Sequence, residues 1–583
     1  SRGGRRLTYA RPMEPVRLAE LRVLEGPNLY FTRPAVKLTL AVPGWLDASE
    51  ARLAAITEAL ELTGAAKAGR PNSEQRRRFT ARLALHITHR LAEASGIRLA
   101  VRGRPGPEPG EVVVAFPWRR RGSAEALGRE VAEVLSALLA TRRSPRRLVG
   151  EAATRIGAVD PGPQPSVPDP DIPVISVTGT NGKTTTVRLL AHIIRTAGRS
   201  VAYSSTDGVY RDEELVEEGD YSGFGGAAMA LAQEPDVAVL ETARGGILLR
   251  GIGVQHNDVA VVTNVSADHL DLHGIHTLDQ LAEVKATITR ITRPRGWDVL
   301  NADDPRVLSM RRGSSGRVWL FSLDSDHPAI RTVLAEGGRA VTALDGRMTV
   351  LERSTAHPLV RLEDVPMTIA GLSSTNIQNA MAGAAAALAI GLPERAVARG
   401  LRSFVLDPER NPGRANLFTL DGRVVVVDYA HNEAGMMGLT EICEGLCARA
   451  RDVWMAICAA GDRRDDIIHA FAYRAARGTD HIAVAELPRY LRGRDPQELV
   501  ERLRAGAIDG GAAEVPVFPD EVHALEWMAR GSSPGDVVAV TALGQRPEIF
   551  AWLEEHGAQR LGPDEVRRLA RSVRASRAKA RPG

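Results

Sequence analysis

Val174-Ile-Ser-Val-Thr-Gly-Thr-Asn-Gly-Lys-Thr-Thr-Thr186 runs from an apolar segment through a glycine turn to a lysine. Its Val/Ile run predicts a buried parallel strand. The turn is Gly179-Thr180-Asn181-Gly182-Lys183-Thr184, with Thr185 next, and a helical pattern over 187–194 follows at once. Strand, glycine turn and helix wrap backbone N–H groups around phosphate. The helix N-terminus adds a partial positive charge, Lys183 a full one, and the Thr184 hydroxyl a ligand for Mg²⁺. The long form of this loop, Gly-x4-Gly-Lys-Ser/Thr, needs a glycine where this chain has Val177. The match is to the shorter Gly-x-x-Gly-Lys-Thr.

Working outward, 583 residues predict three or four domains. Aromatic residues make up only 4% of the chain, which argues against base-stacking surfaces and so against nucleic acid. The net charge of +4 is small for this length, with many arginines near the two ends. Those arginines read first as a solvated face, and otherwise as a patch for an acidic polymer or nucleic acid. Cys443, Cys447 and Cys458 are the three cysteines, and no other Cys or His completes a metal-ligand set around them. Such sparse cysteine fits a reducing cytoplasm. No apolar run reaches membrane-helix length and no signal-peptide core opens the chain, so a cytosolic protein is expected.

Residues 1–156 predict a small α+β module. Strands are expected over 35–42 and 111–116, helices over 49–61, 79–94 and 125–140, and a turn at Gly26-Pro27. His86 and His89 on the second helix have the spacing of a metal pair but no acidic neighbour; packing is the simpler reading. Trp118-Arg-Arg-Arg121 reads as an exposed basic loop. The Pro-rich stretch 157–173 cannot form a helix or central strand and reads as a stiff linker.

Strands and helices then alternate, as in a doubly wound α/β domain spanning 174–405. Asp236-Val-Ala-Val-Leu-Glu241 brings Glu241 to a strand's carboxyl edge. Asp258-Val-Ala-Val-Val-Thr-Asn264 leads into Val265-Ser-Ala-Asp-His-Leu-Asp-Leu-His-Gly274. A helix over 277–291 carries Lys285, Val299-Leu-Asn-Ala-Asp-Asp-Pro305 ends a strand at Asn301, and Thr375 opens an Ala-rich helix to Ala389. From 406 to 575 the alternation restarts, with strands at 423–428, 453–459, 481–485 and 536–541. A frayed basic tail is expected from Arg571, with 576–583 outside the domain.

Taken singly, Glu241, the Asp268-His-Leu-Asp271 cluster and Lys285 each have a bland reading: a solvated strand end, a helix cap, a surface charge. Their order carries more information. Gly179-Thr-Asn-Gly-Lys-Thr-Thr185, Glu241-Thr-Ala-Arg-Gly-Gly-Ile247, Asn264 to Gly274, Asn411-Pro-Gly-Arg414, Asp428-Tyr-Ala-His-Asn432 and Gly461-Asp-Arg-Arg-Asp465 follow one another over some three hundred residues. In these the chain resembles the Mur ligase family of ATP-dependent amide-bond ligases, and within it the Mur-ligase-like part of the cyanophycin synthetases. The N-terminal module, with Leu24-Glu-Gly-Pro-Asn28, more loosely resembles theirs.

The resemblance implies a P-loop central domain, a Rossmann-like C-terminal domain and an α/β fold class overall. It implies ATP and Mg²⁺ as cofactors. Lys183 and the loop Gly179–Thr185 would hold phosphates; Thr184, Glu241, His269 and Lys285, the last often carbamylated in the family, would serve the metal. Asn301 would face adenine, Arg414 would reach the γ-phosphate on domain closure, and Asp428 would meet the ribose or order the hinge. His431, Asn432 and Arg463 would line the cleft. Lys183, Glu241, His269, Lys285 and Arg414 would be the catalytic set. The expected reaction joins an amino acid or amine to a carboxylate of a peptide or poly-amino acid through an acyl phosphate, in a homo-oligomer. Only the Pro-rich linker stands where cyanophycin synthetases carry an ATP-grasp domain, so a separate ATP-grasp partner enzyme is one expectation. The alternatives are a ligase of a cell-wall or soluble peptide precursor and a non-catalytic subunit. Arg489, Arg492 and Arg494 read equally as a carboxylate grip or a surface loop.

Overall fold

The computed structural model describes residues 15–62, 68–268 and 270–578. The chain divides into two compact units. The first comprises 1–169 with 245–255 and 273–276; the second takes in the rest.

The first unit is built on a four-stranded antiparallel sheet in the order Arg17–Leu24, Ala35–Ala41, Glu111–Pro117, Arg102–Pro105. Strand alternation puts Val36, Leu38, Leu40, Val112, Val114 and Phe116 on one face. These bury against Leu83, Ile87, Leu127 and Leu135 of the helices Glu74–Ala94 and Arg121–Ala140. The first of these helices starts five residues before the expected 79, because Ser73 caps it by accepting from Arg76 N. A further helix, Pro145–Gly157, enters what the sequence left blank. Pro145 suits a first helical position, and Leu148, Ala152 and Ile156, four apart, reach the core. The basic loop needs correcting: Trp118 is buried and its indole N–H donates to Leu24 O at 3.0 Å, while Arg121 already begins a helix. Only Arg119 and Arg120 form an exposed loop. At the Gly26-Pro27 turn, the buried Asn28 side chain donates to Gly26 O and Arg33 O and accepts from the N–H groups of Tyr30 and Phe31.

The second unit holds two sheets. The larger has eleven strands. Its parallel middle runs Arg339–Leu344, Arg317–Ser322, Thr292–Asn301, Asn257–Val262, Val174–Thr178, Val237–Glu241, Val201–Ser205. Antiparallel strands finish each edge. The Ala-rich helix Ser374–Ala389 packs against the helix Lys183–Thr196. Ala380, Ala382 and the run Ala384 to Ala387 are fully buried, and small side chains permit that close approach. The helix expected over 277–291 is two pieces, Leu278–Lys285 and Thr287–Arg290. A Thr277/Gln280 capping box starts the first, and the β-branched Thr-Ile-Thr run supports helix poorly.

The smaller sheet has seven strands, with a parallel core of His481–Ala485, Val453–Ile457, Val537–Thr541 and Arg423–Asp428. The expected frayed tail from Arg571 is instead part of the helix Pro563–Ala578. Arg574 donates to Ala370 O, and Arg577 to Glu444 O and Cys447 O, tying the helix down. The three cysteines are free and buried.

Candidate active site

The phosphate loop leaves the buried strand Val174–Thr178 and enters the helix Lys183–Thr196. Val177 is inside the strand, so Gly179 is the first loop residue and the short loop form suffices. Gly182 has φ +84°, a left-handed conformation suited to glycine, and a Cβ there would meet Asn379 Oδ1 at 2.2 Å. A Cβ on Gly179 would meet Thr263 Oγ1 at 1.8 Å. The loop is pinned to the end of the neighbouring strand. Thr180 N donates to Asn264 O and Asn181 N to Asn264 Oδ1, both at 2.9 Å, and Thr263 Oγ1 donates to Asn181 O at 2.6 Å.

Lys183 Nζ curls back to Thr180 O at 2.9 Å. Thr184 Oγ1 donates to Glu241 Oε2 at 2.9 Å and lies 3.3 Å from Thr206 Oγ1, with Thr185 buried beside it. Glu241 is delivered by its strand as expected, and it is buried. Burial pushes its carboxyl up, opposed by Lys183, the Thr184 hydroxyl and Arg414. Its Oε1 finds no hydrogen-bond partner among the described residues. A buried carboxylate oxygen with nothing to accept from, beside a threonine hydroxyl, suits a hard divalent cation that completes its shell with phosphate oxygens and water. No group of three or more Asp, Glu, His or Cys gathers among the described residues; the expected ligand His269 lies outside them.

Lys285 ends the helix Leu278–Lys285 and is buried, donating to Gly179 O at 2.6 Å. Burial, then the nearby Lys183 charge, holds its ammonium well below the usual lysine range. It lies directly behind the loop.

The C-terminal domain presses on the same place. Asn432 and Asn181 exchange two side-chain hydrogen bonds, each 3.0 Å. His431 Nδ1 donates to Tyr429 O at 2.8 Å, and its Nε2 lies 3.3 Å from Asp268 Oδ2. Arg463 is 3.4 Å from Asp268 Oδ1, and Arg464 3.3 Å from Asp271. The Arg414 guanidinium lies 4.7 Å over the Tyr429 ring and acts on both Glu241 and Asp428. Asp428 accepts from Ala415 N at 2.8 Å, and burial pushes its carboxyl up against the pull of Arg414.

Other positions are spent within the fold. The Asn301 amide donates to Thr263 O at 2.8 Å, and its oxygen accepts from Asp303 N. Arg492 pairs with Asp462, and Arg494 with Asp465 and Glu498. His89 is exposed, and His86 is half-buried on its own helix. Asn379, buried against Gly182, was not expected as a site residue; Asp268, expected only as a member of its acidic cluster with no role of its own, joins His431 to Arg463. The Asn-x-x-Asn at the start of the Ala-rich helix was the one available signal for Asn379.

A phosphate-cradling α/β domain, faced by a second α/β domain that reaches its loop, defines the class: a two-domain P-loop protein. Residues 177–387 match the model of the Mur ligase middle domain, and 413–544 that of the Mur ligase glutamate ligase domain. Together these span more than half of the chain, which belongs to the Mur ligase family. A cyanophycin synthetase of Synechocystis sp. is 40% identical over 356 residues, covering 61% of this chain and 40% of that protein. The chain thus spans well under two thirds of the length of that relative. A UDP-N-acetylmuramyl-tripeptide synthetase of Deinococcus radiodurans is 27% identical over 428 residues, 70% of this chain and 79% of that one. A solved bifunctional folylpolyglutamate synthase/dihydrofolate synthase, with Mn, AMPPNP and L-glutamate bound, superposes with TM-score 0.48 at 18% identity, over 66% of this chain and 89% of its own. No described helix is long and apolar enough to cross a membrane.

Proposed function

We propose that this chain is an ATP-dependent, ADP-forming ligase that joins an amino acid or amine to a carboxylate of a peptide or poly-amino-acid acceptor. The observation that carries the reading is the buried Glu241 carboxylate, held by Thr184 Oγ1 at the phosphate loop, with Asn432 of the C-terminal side bonded to Asn181 of that same loop. A carboxylate, a threonine hydroxyl and a loop reached from both domains suit a charge that develops between them. In this reading residues 174–405 bind ATP, 406–575 close over it, 157–173 link them to the N-terminal module, and the reducing cytoplasm keeps the three cysteines as thiols.

A carboxylate resists amine attack until one oxygen becomes a leaving group. Transfer of the γ-phosphoryl makes an acyl phosphate; the amine then forms the amide and phosphate leaves. Lys183 and the loop N–H groups hold the β- and γ-phosphate oxygens. Arg414 neutralises charge on the transferring group, and the Asn181–Asn432 contact shuts the cleft against water. Thr184 and Glu241, with His269, would hold Mg²⁺, which supplies charge neutralisation at the phosphates. Lys285 fits a carbamate: burial favours its uncharged form, which can add carbon dioxide and release a proton, and the adjacent Lys183 favours the resulting anion.

The likeness to cyanophycin synthetases supports a growing acidic or mixed poly-amino acid as acceptor, extended in alternation with a separate ATP-grasp enzyme, and a homo-oligomeric assembly. The test is phosphate release from ATP and Mg²⁺ with pooled amino acids and acidic peptide acceptors, products being read by mass. Release should need both an amine and an acceptor and vanish in Lys183→Ala. ATP binding without release in any pool sinks the ligase reading.

A further inference from the structure

We infer that Arg546, facing Asp207 of the ATP domain, is a positioning residue that sets Arg414 at the phosphate site when the domains close. The inference rests on the nucleotide reading above. Asp207 lies in the turn after the strand Val201–Ser205, one residue beyond Thr206, and its charge is felt at Glu241. Its Oδ2 accepts from Arg188 Nη2 at 2.8 Å. Arg188 is buried, and its Nε and Nη1 find no hydrogen-bond partner among the described residues. A buried guanidinium with one carboxylate to neutralise it holds that carboxylate in place, because releasing it would leave an uncompensated charge. Asp207 is therefore a fixed reference on the ATP domain.

The free side of that reference faces the C-terminal domain. Asp207 Oδ1 lies 4.0 Å from Arg546 Nη2. Arg546 Nη1 donates to Pro412 O at 3.2 Å, inside the Asn411-Pro-Gly-Arg414 turn, and its guanidinium is 5.3 Å from the Tyr429 ring centre. Arg414 uses the same ring at 4.7 Å. Arg546 thus touches the carbonyl two residues before Arg414 and the ring on which Arg414 rests. A partly exposed pair at 4.0 Å adds little stability. Its value is geometric: it aligns the turn and ring carrying Arg414 against a point fixed beside Glu241 and Thr184.

The full-length protein is tested with ADP, Mg²⁺ and aluminium fluoride, the mimic of a transferring phosphoryl group. In the parent protein fluoride should tighten ADP binding. In Arg546→Met that tightening should fall between about tenfold and a hundredfold, while ADP alone binds within about threefold of the parent. Asp207→Asn should do the same, the double variant should be no worse than Arg546→Met, and Arg546→Lys should recover part of the gain. Melting curves verify that each variant is folded; if Asp207→Asn is not, Arg546→Met and Arg546→Lys decide alone. Undiminished tightening in Arg546→Met overturns the inference, as do losses that multiply in the double variant. A parent that tightens with fluoride but never forms amide removes the ligase reading and leaves this one standing; a parent that binds no ADP removes both.

Discussion

Gly182 shows how one residue can be required twice. Its φ of +84° costs any other residue roughly 1–2 kcal/mol, and an added Cβ would enter the Asn379 amide at 2.2 Å. Gly182→Ala should therefore lower nucleotide affinity at least tenfold, read by calorimetric titration with ADP; affinity within twofold of the parent would mean the loop has slack that the geometry denies. Lys285 makes a second claim at this scale. With isotope-labelled carbon dioxide, the parent should show one slowly exchanging carbamate signal by nuclear magnetic resonance, absent in Lys285→Met; no signal in the parent would remove the carbamate. Lys183, Thr184 and Glu241 were legible in the sequence because each sits where a strand or glycine turn ends, and chain order alone fixes such places. Asn379 was legible only through its Asn-x-x-Asn and Asp268 only as a member of its acidic cluster, since their roles are contacts to Gly182 and to His431 and Arg463 made across the fold. For Asn301 the strand end was readable, but the partners that consume its amide, Thr263 and Asp303, were not.

Strands and helices follow the same division. The parallel strands were readable as Val/Ile runs, because a strand covered on both faces has no polar side to confuse the pattern. The helix Pro145–Gly157 was overlooked because its apolar positions, Leu148, Ala152 and Ile156, are few among arginines. The basic tail was misjudged because its arginines cap carbonyls of other elements. Within the strand Thr292–Asn301, Asp298 is a buried carboxyl that burial pushes up to about 7, against hydrogen bonds from Thr292 and Gly316 N. In the unfolded chain it ionises near 3.8, so the folded state binds the extra proton between these values. Its contribution to stability is therefore fully present below about 4, declines as pH rises to about 7, and is flat above. Asp298→Asn keeps the shape and removes the titration, and Thr292 can still donate to Asn257 Oδ1. Relative to the parent, the variant should gain of order a few kcal/mol between pH 5 and pH 8, measured by denaturant unfolding at both. An equal difference at the two pH values would show that Asp298 is already ionised in the fold.

At the scale of the whole molecule, the central and C-terminal domains meet through polar side chains at the nucleotide loop, Asn432 on Asn181, His431 and Arg463 on Asp268, Arg464 on Asp271, and share an apolar cluster that includes Ile369, Ala370, Val566 and Ala570. The exposed Arg464–Asp271 pair contributes little net free energy, whereas Arg463 and Asp268 are buried, so parting them must return both charges to water. Asn432 also caps the helix Glu433–Leu446, its Oδ1 accepting from Gly435 N at 2.9 Å. Its two jobs can be separated. Asn432→Ser keeps a capping oxygen but loses the reach to Asn181; Asn432→Ala loses both, and the missing cap should cost about 1 kcal/mol. Turnover should therefore fall by a similar factor, about tenfold or more, in both variants. The melting temperature should drop in Asn432→Ala alone. Turnover that follows the melting temperature, intact in Ser and lost in Ala, would make Asn432 a helix cap and nothing more. Equal loss of turnover with unequal stability would show that its amide works across the cleft, holding the loop that grips the phosphates only while the two domains are shut.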